Sequence, residues 1–164
     1  MSAAAAQLAY IGLGSNLGDR LQILQQAVQA IAGIPQTQVL RCSSLYQSAA
    51  AEGAIGSGDF LNAVAEVSTY LDAYTLLQAL QDIELAAGRL RPYHHAPRTL
   101  DLDILLFGQD AIYDAPRLIV PHPRLWERDF AYLPLCELCP RLLLRQNHYQ
   151  KGTHNCQIQH KNWL

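Results

Sequence analysis

The chain has 164 residues, of which 50% are hydrophobic and 16% are charged, and its formal net charge at pH 7 is −2. This length and composition predict one globular domain with a real hydrophobic core. The charge argues against a general nucleic-acid binder or a membrane-surface protein. No basic segment precedes the opening apolar residues, and no apolar run reaches about 18 residues, so neither a signal peptide nor a membrane span is predicted. We therefore expect a cytoplasmic protein whose four cysteines are free thiols, and we also expect a monomer.

The apolar pattern alternates between strands and helices along the first two thirds of the chain. A strand at 7–13 leads through the turn GSNLGD into a helix that Asp19 caps and Gly33 ends. Strands are predicted at 38–46 and 60–69, then a helix capped by Asp72, then a strand at 98–108. This β-α-β-β-α-β order predicts an α+β fold, a ferredoxin-like split β-α-β sandwich with an antiparallel sheet and helices on one face.

The residues after this core predict two different kinds of segment. Pro121, Pro123 and Pro134 exclude one long helix, so we expect a short strand and additional short helices there. Residues 146–164 show no clear periodicity and hold few apolar side chains. We therefore divide the chain into a domain at 1–145 and an irregular C-terminal tail at 146–164, and we expect the domain to fold without the tail.

Two aspartates interrupt the apolar strand in RTLDLDILLFG, residues 98–108. Side chains alternate along a strand, so Asp101 and Asp103 face the same way, roughly 7 Å apart. Two carboxylates so close to a core repel each other unless a cation lies between them. Mg²⁺ takes carboxylate oxygens and keeps other positions for phosphate, which favours phosphoryl transfer over the alternative of an edge strand in water.

The number of arginines favours a phosphate ligand, whereas no common phosphate-binding loop motif occurs in the sequence. Ten of the twelve Lys and Arg residues are Arg, and six of these lie between Arg89 and Arg128. Arg binds phosphate in a bidentate way. Gly12-x-Gly14 begins like a dinucleotide fingerprint, but its third glycine position is Leu17, and no P-loop motif occurs. We interpret GSNLG as a tight turn before a capped helix.

Five blocks in the correct order carry a resemblance to a known family. They are YIGLGSNLGDR, FLNAV, IELAAGR, APRTLDLDILLFG and VPHPRLWERDFAYLPL, and together they span about residues 8–140. The chain resembles the 6-hydroxymethyl-7,8-dihydropterin pyrophosphokinases, enzymes of the folate pathway. The resemblance implies a ferredoxin-like fold, ATP and the hydroxymethyl pterin as substrates, and transfer of the terminal diphosphate of ATP with release of AMP.

The resemblance also implies roles for individual residues. Asp101 and Asp103 match the pair that binds two Mg²⁺ ions, and Arg89 and Arg91 match the pair in a catalytic loop. The positions that match nucleotide-contacting residues are Gln81, Glu84, Arg98, Arg117, His122 and Arg128. The positions that match pterin-contacting residues are Phe60, Asn62 and Phe130. The last three also fit a flat heterocycle on physical grounds, because two aromatic faces can stack on it and an amide can pair with its edge.

Two alternatives remain open at this point. A two-metal phosphodiesterase or nuclease could use the same aspartates with Asp110 or Asp114 as a further acidic ligand. A non-catalytic zinc-binding interaction module could use Cys136-x-x-Cys139 with His154 and Cys156. For Cys136 and Cys139 we favour small apolar helix residues over zinc ligands.

Overall fold

The computed structural model describes residues 4–48, 59–88, 99–141 and 156–164. Its strands are β1 Gln7–Ser15, β2 Thr37–Cys42, β3 Leu45–Ser48, β4 Phe60–Thr69, β5 Asp101–Phe107, β6 Ile112–Asp114, β7 Leu118–Val120 and β8 Cys156–His160. Its helices are α1 Arg20–Ala32, α2 Ala73–Ala87 and α3 Asp129–Leu138, with a 3₁₀ turn at Leu125–Glu127. Across these described ranges, no helix has the length and apolar character needed to cross a membrane.

Six strands form one sheet in which every pairing is antiparallel. The order is β5-β1-β4-β3-β8, and β2 pairs with β4 beside β3. Strands β6 and β7 form a separate hairpin. With α1 and α2 connecting the strands, this arrangement confirms the α+β, ferredoxin-like prediction, including the strand at 60–69.

Helices α1 and α2 cover one face of the sheet, and both begin at the predicted caps. The Asp19 carboxylate accepts the Gln22 N–H at 3.1 Å, and the Asp72 carboxylate accepts the Thr75 N–H at 2.8 Å. Each bond satisfies a backbone donor that the first helical turn leaves without a partner. The apolar faces of the helices then pack on alternate residues of β1, β4 and β5. Their buried members include Leu24, Val28, Ile31, Leu76 and Leu80.

Helix α3 covers part of the opposite face, so the sheet is packed on both sides. Its Glu137 carboxylate accepts the Ser44 N–H at 2.9 Å and the Tyr46 hydroxyl at 2.5 Å. Its C-terminal turn is held by Arg41, which donates to the Leu138 carbonyl at 2.9 Å. These bonds fix the helix against β3 and leave the neighbouring end of the same face open.

A buried carboxylate sits beneath α3 with partners on two sides. The Arg41 guanidinium donates to the two Glu66 oxygens at 3.1 and 3.0 Å, and the Tyr10 hydroxyl donates to one of them at 2.7 Å. The guanidinium bonds, followed by the Tyr10 bond, lower the pKa of Glu66, while burial opposes them. Burial and the neighbouring carboxylate raise the pKa of Tyr10. Glu66 is therefore ionised in the folded chain at neutral pH.

The single strand predicted at 38–46 is wrong, because the chain breaks it at Ser43 and Ser44. The Ser43 N–H donates to the Val64 carbonyl at 2.8 Å, and its hydroxyl accepts the Val64 N–H at 2.9 Å. The hydroxyl also donates to the Ser44 carbonyl at 2.8 Å. A side chain thus replaces a backbone partner, which ends β2 and lets β3 start in a new register.

The prediction of an irregular tail is wrong for residues 156–160. These residues form β8, which pairs with β3 in the register Tyr46 to Ile158. Trp163 follows and is buried in the core on the α1 side of the sheet. β8 therefore belongs to the sheet and Trp163 to the core, whereas the domain boundary at 145 stays a prediction.

Candidate active site

A cavity of about 470 Å³ opens on the face of the sheet that α3 leaves uncovered. Its walls come from the ends of β1, β3, β4 and β5, from the segment that leads into α3 and from the first turn of α3. The predicted site residues that line it are Phe60, Asn62, Asp101, Asp103, His122, Arg128 and Phe130. Residues from three distant stretches of sequence therefore meet at one place.

Two glycines of β1, which lies between β5 and β4, form the cavity floor. Gly14 lies opposite Asp101 on one side and Asn62 on the other, and Gly12 lies opposite Asp103. Paired residues of antiparallel strands point to the same face, so all five positions face the cavity. A Cβ at Gly14 would lie 3.2 Å from Asn62 Oδ1. The missing side chains therefore keep open the space between the aspartates and the asparagine.

The directions of the side chains explain how β5 holds two aspartates and an apolar core face. Asp101 is half-buried and Asp103 is exposed, and both line the cavity. Leu102 and Ile104 point to the other face and are buried in the core beneath α1 and α2. Two carboxylates on one wall of an open cavity are a donor set that suits Mg²⁺.

His122 lies in the same cavity as a neutral donor. Its backbone N–H donates to the Leu105 carbonyl at 3.0 Å, and its Nδ1 accepts the Arg124 N–H at 3.2 Å. Burial lowers the pKa of His122, nearby Arg128 and Arg124 lower it further, and Asp103 opposes them. With Nδ1 occupied as an acceptor, the neutral ring carries its proton on Nε2. The ring can therefore donate one hydrogen bond to an anion.

Arg128 and Phe130 form the wall opposite the sheet. The Arg128 Cζ lies 5.5 Å from the centroid of the Phe130 ring. Burial and the charge of Arg124 lower the pKa of Arg128, while Asp103 and Asp101 raise it. An arginine stays protonated through such shifts, so this cation faces the two carboxylates across the cavity. The aromatic face of Phe130 and that of Phe60 line the same cavity.

The Asn62 amide is fixed by a residue that the sequence did not single out. Asn62 is 3% exposed, and its Nδ2 donates to the Ser48 Oγ at 2.9 Å. Its Oδ1 lies on the Gly14 side, where it can accept from a ligand in the cavity. The sequence carried no signal for Ser48, because its role depends on the pairing of β3 with β4.

Arg124 and Glu127 also line the cavity and were missed. Their side chains form an exposed ion pair, with Arg124 Nε and Glu127 Oε2 3.7 Å apart. Glu127 ends the 3₁₀ turn between His122 and Arg128, and Arg124 directly precedes that turn. Their spacing from these predicted residues was visible in VPHPRLWERDF, and it could have suggested them.

A second cavity of about 180 Å³ lies beside the first and shares Asp103 and His122 with it. Its walls are largely apolar, and Arg117 adds a positive charge. The remaining lining residues are Leu77, Leu102, Ile104, Pro116, Leu118, Ile119 and Pro123. Arg117 is thus near the predicted site, although it does not line the larger cavity.

Other predicted residues are not part of these two cavities. Gln81 is exposed and Glu84 is half-buried on α2, and neither lines either cavity. Arg89, Arg91 and Arg98 lie outside the described residues.

The structure also bears on the further residues that the two alternative functions would use. Asp110 and Asp114 line neither cavity, and Asp114 accepts a bond from the Tyr74 hydroxyl. Cys136 and Cys139 are buried thiols in the apolar cluster of α3. His154 lies outside the described residues, and among those that are described no three His, Cys, Asp or Glu side chains group as a metal site.

Comparison with known proteins identifies the family of this chain. The family described as 7,8-dihydro-6-hydroxymethylpterin-pyrophosphokinase (HPPK) matches residues 10–140. Two proteins named 2-amino-4-hydroxy-6-hydroxymethyldihydropteridine pyrophosphokinase are similar: one from Bacillus subtilis, 43% identical over 82% of this chain and 80% of its own length, and one from Pseudomonas aeruginosa, 44% identical over 84% of each. A crystal structure described as HPPK-DHPS in complex with substrates superimposes with a TM-score of 0.65 at 12% identity, over 83% of this chain and 40% of that one, and so supports the fold. The chain belongs to the 7,8-dihydro-6-hydroxymethylpterin-pyrophosphokinase family.

Proposed function

We propose that the 470 Å³ cavity and its smaller neighbour are the active site at which this chain performs the reaction of its family. The enzyme is an ATP-dependent diphosphotransferase of folate biosynthesis, and it converts ATP and 6-hydroxymethyl-7,8-dihydropterin into AMP and the pterin diphosphate. One observation carries this proposal: Asp101 and Asp103 face Asn62 across the glycine floor of one cavity. The proposed phosphate site at the aspartates and the proposed pterin site at Asn62 therefore lie next to each other in one cavity.

The pterin binds at the Asn62 end of the cavity. Phe60 and Phe130 offer aromatic faces to its flat ring, and offset stacking of such rings is favourable. The Asn62 Oδ1 accepts from an N–H on the pterin edge, because Ser48 already holds the Nδ2. The hydroxymethyl group then points along the floor toward the aspartates.

The phosphates of ATP bind at the Asp101 end. These two carboxylates would hold Mg²⁺, and we propose two ions. When bound there, Mg²⁺ would supply positive charge that stabilises the negative charge on the phosphates. Arg128 and the Nε2–H of His122 donate to phosphate oxygens from the opposite wall. Arg89, Arg91 and Arg98 are proposed to add further positive charge, as the family resemblance implies.

The reaction needs positioning more than covalent work by the protein. The pterin hydroxyl oxygen bonds to the β-phosphorus of ATP, the bond to the bridging oxygen between the α and β phosphorus atoms breaks, and AMP leaves. The hydroxyl proton passes to water or to Asp103, which is the exposed carboxylate of the pair. Arg128 counters the negative charge that spreads over the phosphates.

The smaller cavity is the proposed place of the nucleotide base, since its apolar walls suit a purine and it joins the phosphate site at Asp103 and His122. Arg117 would contact the nucleotide there. Contacts from Gln81 and Glu84 stay predictions, as do a monomeric state and a cytoplasmic location.

The identity of the nucleotide product tests this proposal. The full chain is incubated with the pterin, ATP and Mg²⁺, and the products are separated by chromatography. We expect AMP and pterin diphosphate in equal amounts, loss of both with a chelator, and their return with Mg²⁺. ADP as the main product would contradict the assignment and indicate an ordinary phosphotransferase.

A further inference from the structure

Tyr74, in the first turn of α2, holds the β6–β7 hairpin by two contacts. Its hydroxyl donates to the Asp114 Oδ2 at 2.9 Å. Its ring lies beneath the Arg117 guanidinium, with the Cζ 4.6 Å from the ring centroid. Asp114 and Arg117 lie at the two ends of the turn between β6 and β7. The Tyr74 side chain therefore contacts both ends of that turn.

The hairpin places Arg117 beside the smaller cavity but does not by itself order the side chain. β6 and β7 are three residues each and pair only with one another among the described strands. Leu118 and Val120 are buried, whereas Arg117 is exposed. An exposed arginine loses considerable rotamer freedom when it must hold one orientation at a ligand. The Tyr74 ring restricts that freedom before any ligand arrives.

We infer that Tyr74 is a positioning residue, which holds the Arg117 guanidinium at the nucleotide cavity by a cation–π contact. The inference rests on the proposed function, because it takes Arg117 to contact ATP. The ring supplies the attraction, and the bond to Asp114 fixes the ring. In the described part of the chain, Arg117 and Asp114 form no ion pair, and the Tyr74 hydroxyl binds the Oδ2 of the Asp114 carboxylate.

Single variants separate this role from general support of the fold. Tyr74→Leu removes the aromatic face, Tyr74→Phe keeps it, and Tyr113→Leu changes a tyrosine on the same hairpin that is 83% exposed. We expect Tyr74→Leu to raise the KM for ATP about two- to fivefold, the range of an exposed cation–π contact. The KM for the pterin and kcat should not change. Tyr74→Phe keeps the ring but loses the bond to Asp114, so its KM for ATP should lie between those of the parent and Tyr74→Leu, and Tyr113→Leu should match the parent.

A double-mutant cycle tests whether Tyr74 acts through Arg117. Arg117→Met removes the cation, so Tyr74→Leu should have no further effect on the KM for ATP in that background. Additive effects of the two substitutions would overturn the inference. So would an equal rise of both KM values in Tyr74→Leu together with a lower melting temperature, because this is the result of a structural role alone. An unchanged KM for ATP in Arg117→Met would also overturn it, while AMP formation by the parent chain would leave the proposed reaction standing.

Discussion

Substitution of Trp163 tests whether the tail, residues 146–164, stabilises the fold. Its side chain is 6% exposed within the core between the sheet and α1. The indole Nε1–H donates to the Ser43 carbonyl at 2.8 Å, and the Trp163 carbonyl accepts from Gln25 Nε2 at 2.5 Å. These contacts join the tail both to the break between β2 and β3 and to the helix layer.

The expected cost of Trp163→Ala follows from the buried area. A Trp side chain buries about 150–250 Å², which corresponds to about 4–6 kcal/mol at about 25 cal/mol per Å². The unfolded chain already covers part of this area, so the measured loss should be about 3–5 kcal/mol, the usual range for Trp to Ala in a core. Because a domain is typically stable by about 5–15 kcal/mol, this loss is a large share of the total.

Urea denaturation followed by circular dichroism measures the loss. Trp163→Phe should cost about 1–2 kcal/mol, since it keeps most of the apolar area and loses the bond to Ser43. Leu164→Ala is the matched control, because Leu164 is 67% exposed, and it should lie within about 0.5 kcal/mol of the parent. A chain truncated after Arg145 should lose at least as much as Trp163→Ala, contrary to our expectation from the sequence. If Trp163→Ala were as stable as the control, the tail would have no part in the core.

Local signals in the sequence predicted the elements that depend on neighbouring residues. Asp19 and Asp72 mark helix starts because a cap bond reaches only three residues along the chain. The short apolar run at 60–69 predicts β4, because such a run is typical of a strand that is buried on both faces. Asp101 and Asp103 were recognisable because strand side chains repeat every two residues, and two charges on one strand face need a partner or solvent.

What the sequence left hidden depends on pairing between distant residues. In the sequence, Gly14 resembles part of a turn motif. Its position on the cavity floor depends on the pairing of β1 with β4 and β5. Ser48 matters only because β3 brings it beside Asn62. The tail shows no period because β8 is short, and Trp163 acts through one large side chain rather than through a repeating pattern.

Three substitutions test the site and the core beside it. Asp101→Asn removes a charged metal ligand, so turnover should fall by orders of magnitude while the melting temperature is kept; near-normal turnover would contradict the metal assignment. Gly14→Ala puts a Cβ 3.2 Å from Asn62 Oδ1, so the KM for the pterin should rise with that for ATP unchanged, and a parent-like pterin KM would show that the floor tolerates a methyl group. The third concerns Glu66, whose pKa is lowered by hydrogen bonds from Arg41. A lowered carboxyl pKa contributes stability that is present above the unfolded value of about 4.5 and is lost as the pH falls through the folded value. Glu66→Gln lacks this contribution, so its free energy of unfolding should be about 1–3 kcal/mol below the parent at pH 7, and the gap should shrink by pH 3. Urea denaturation at both pH values measures the gap, and an equal gap at both would mean that the charge of Glu66 does not stabilise the fold.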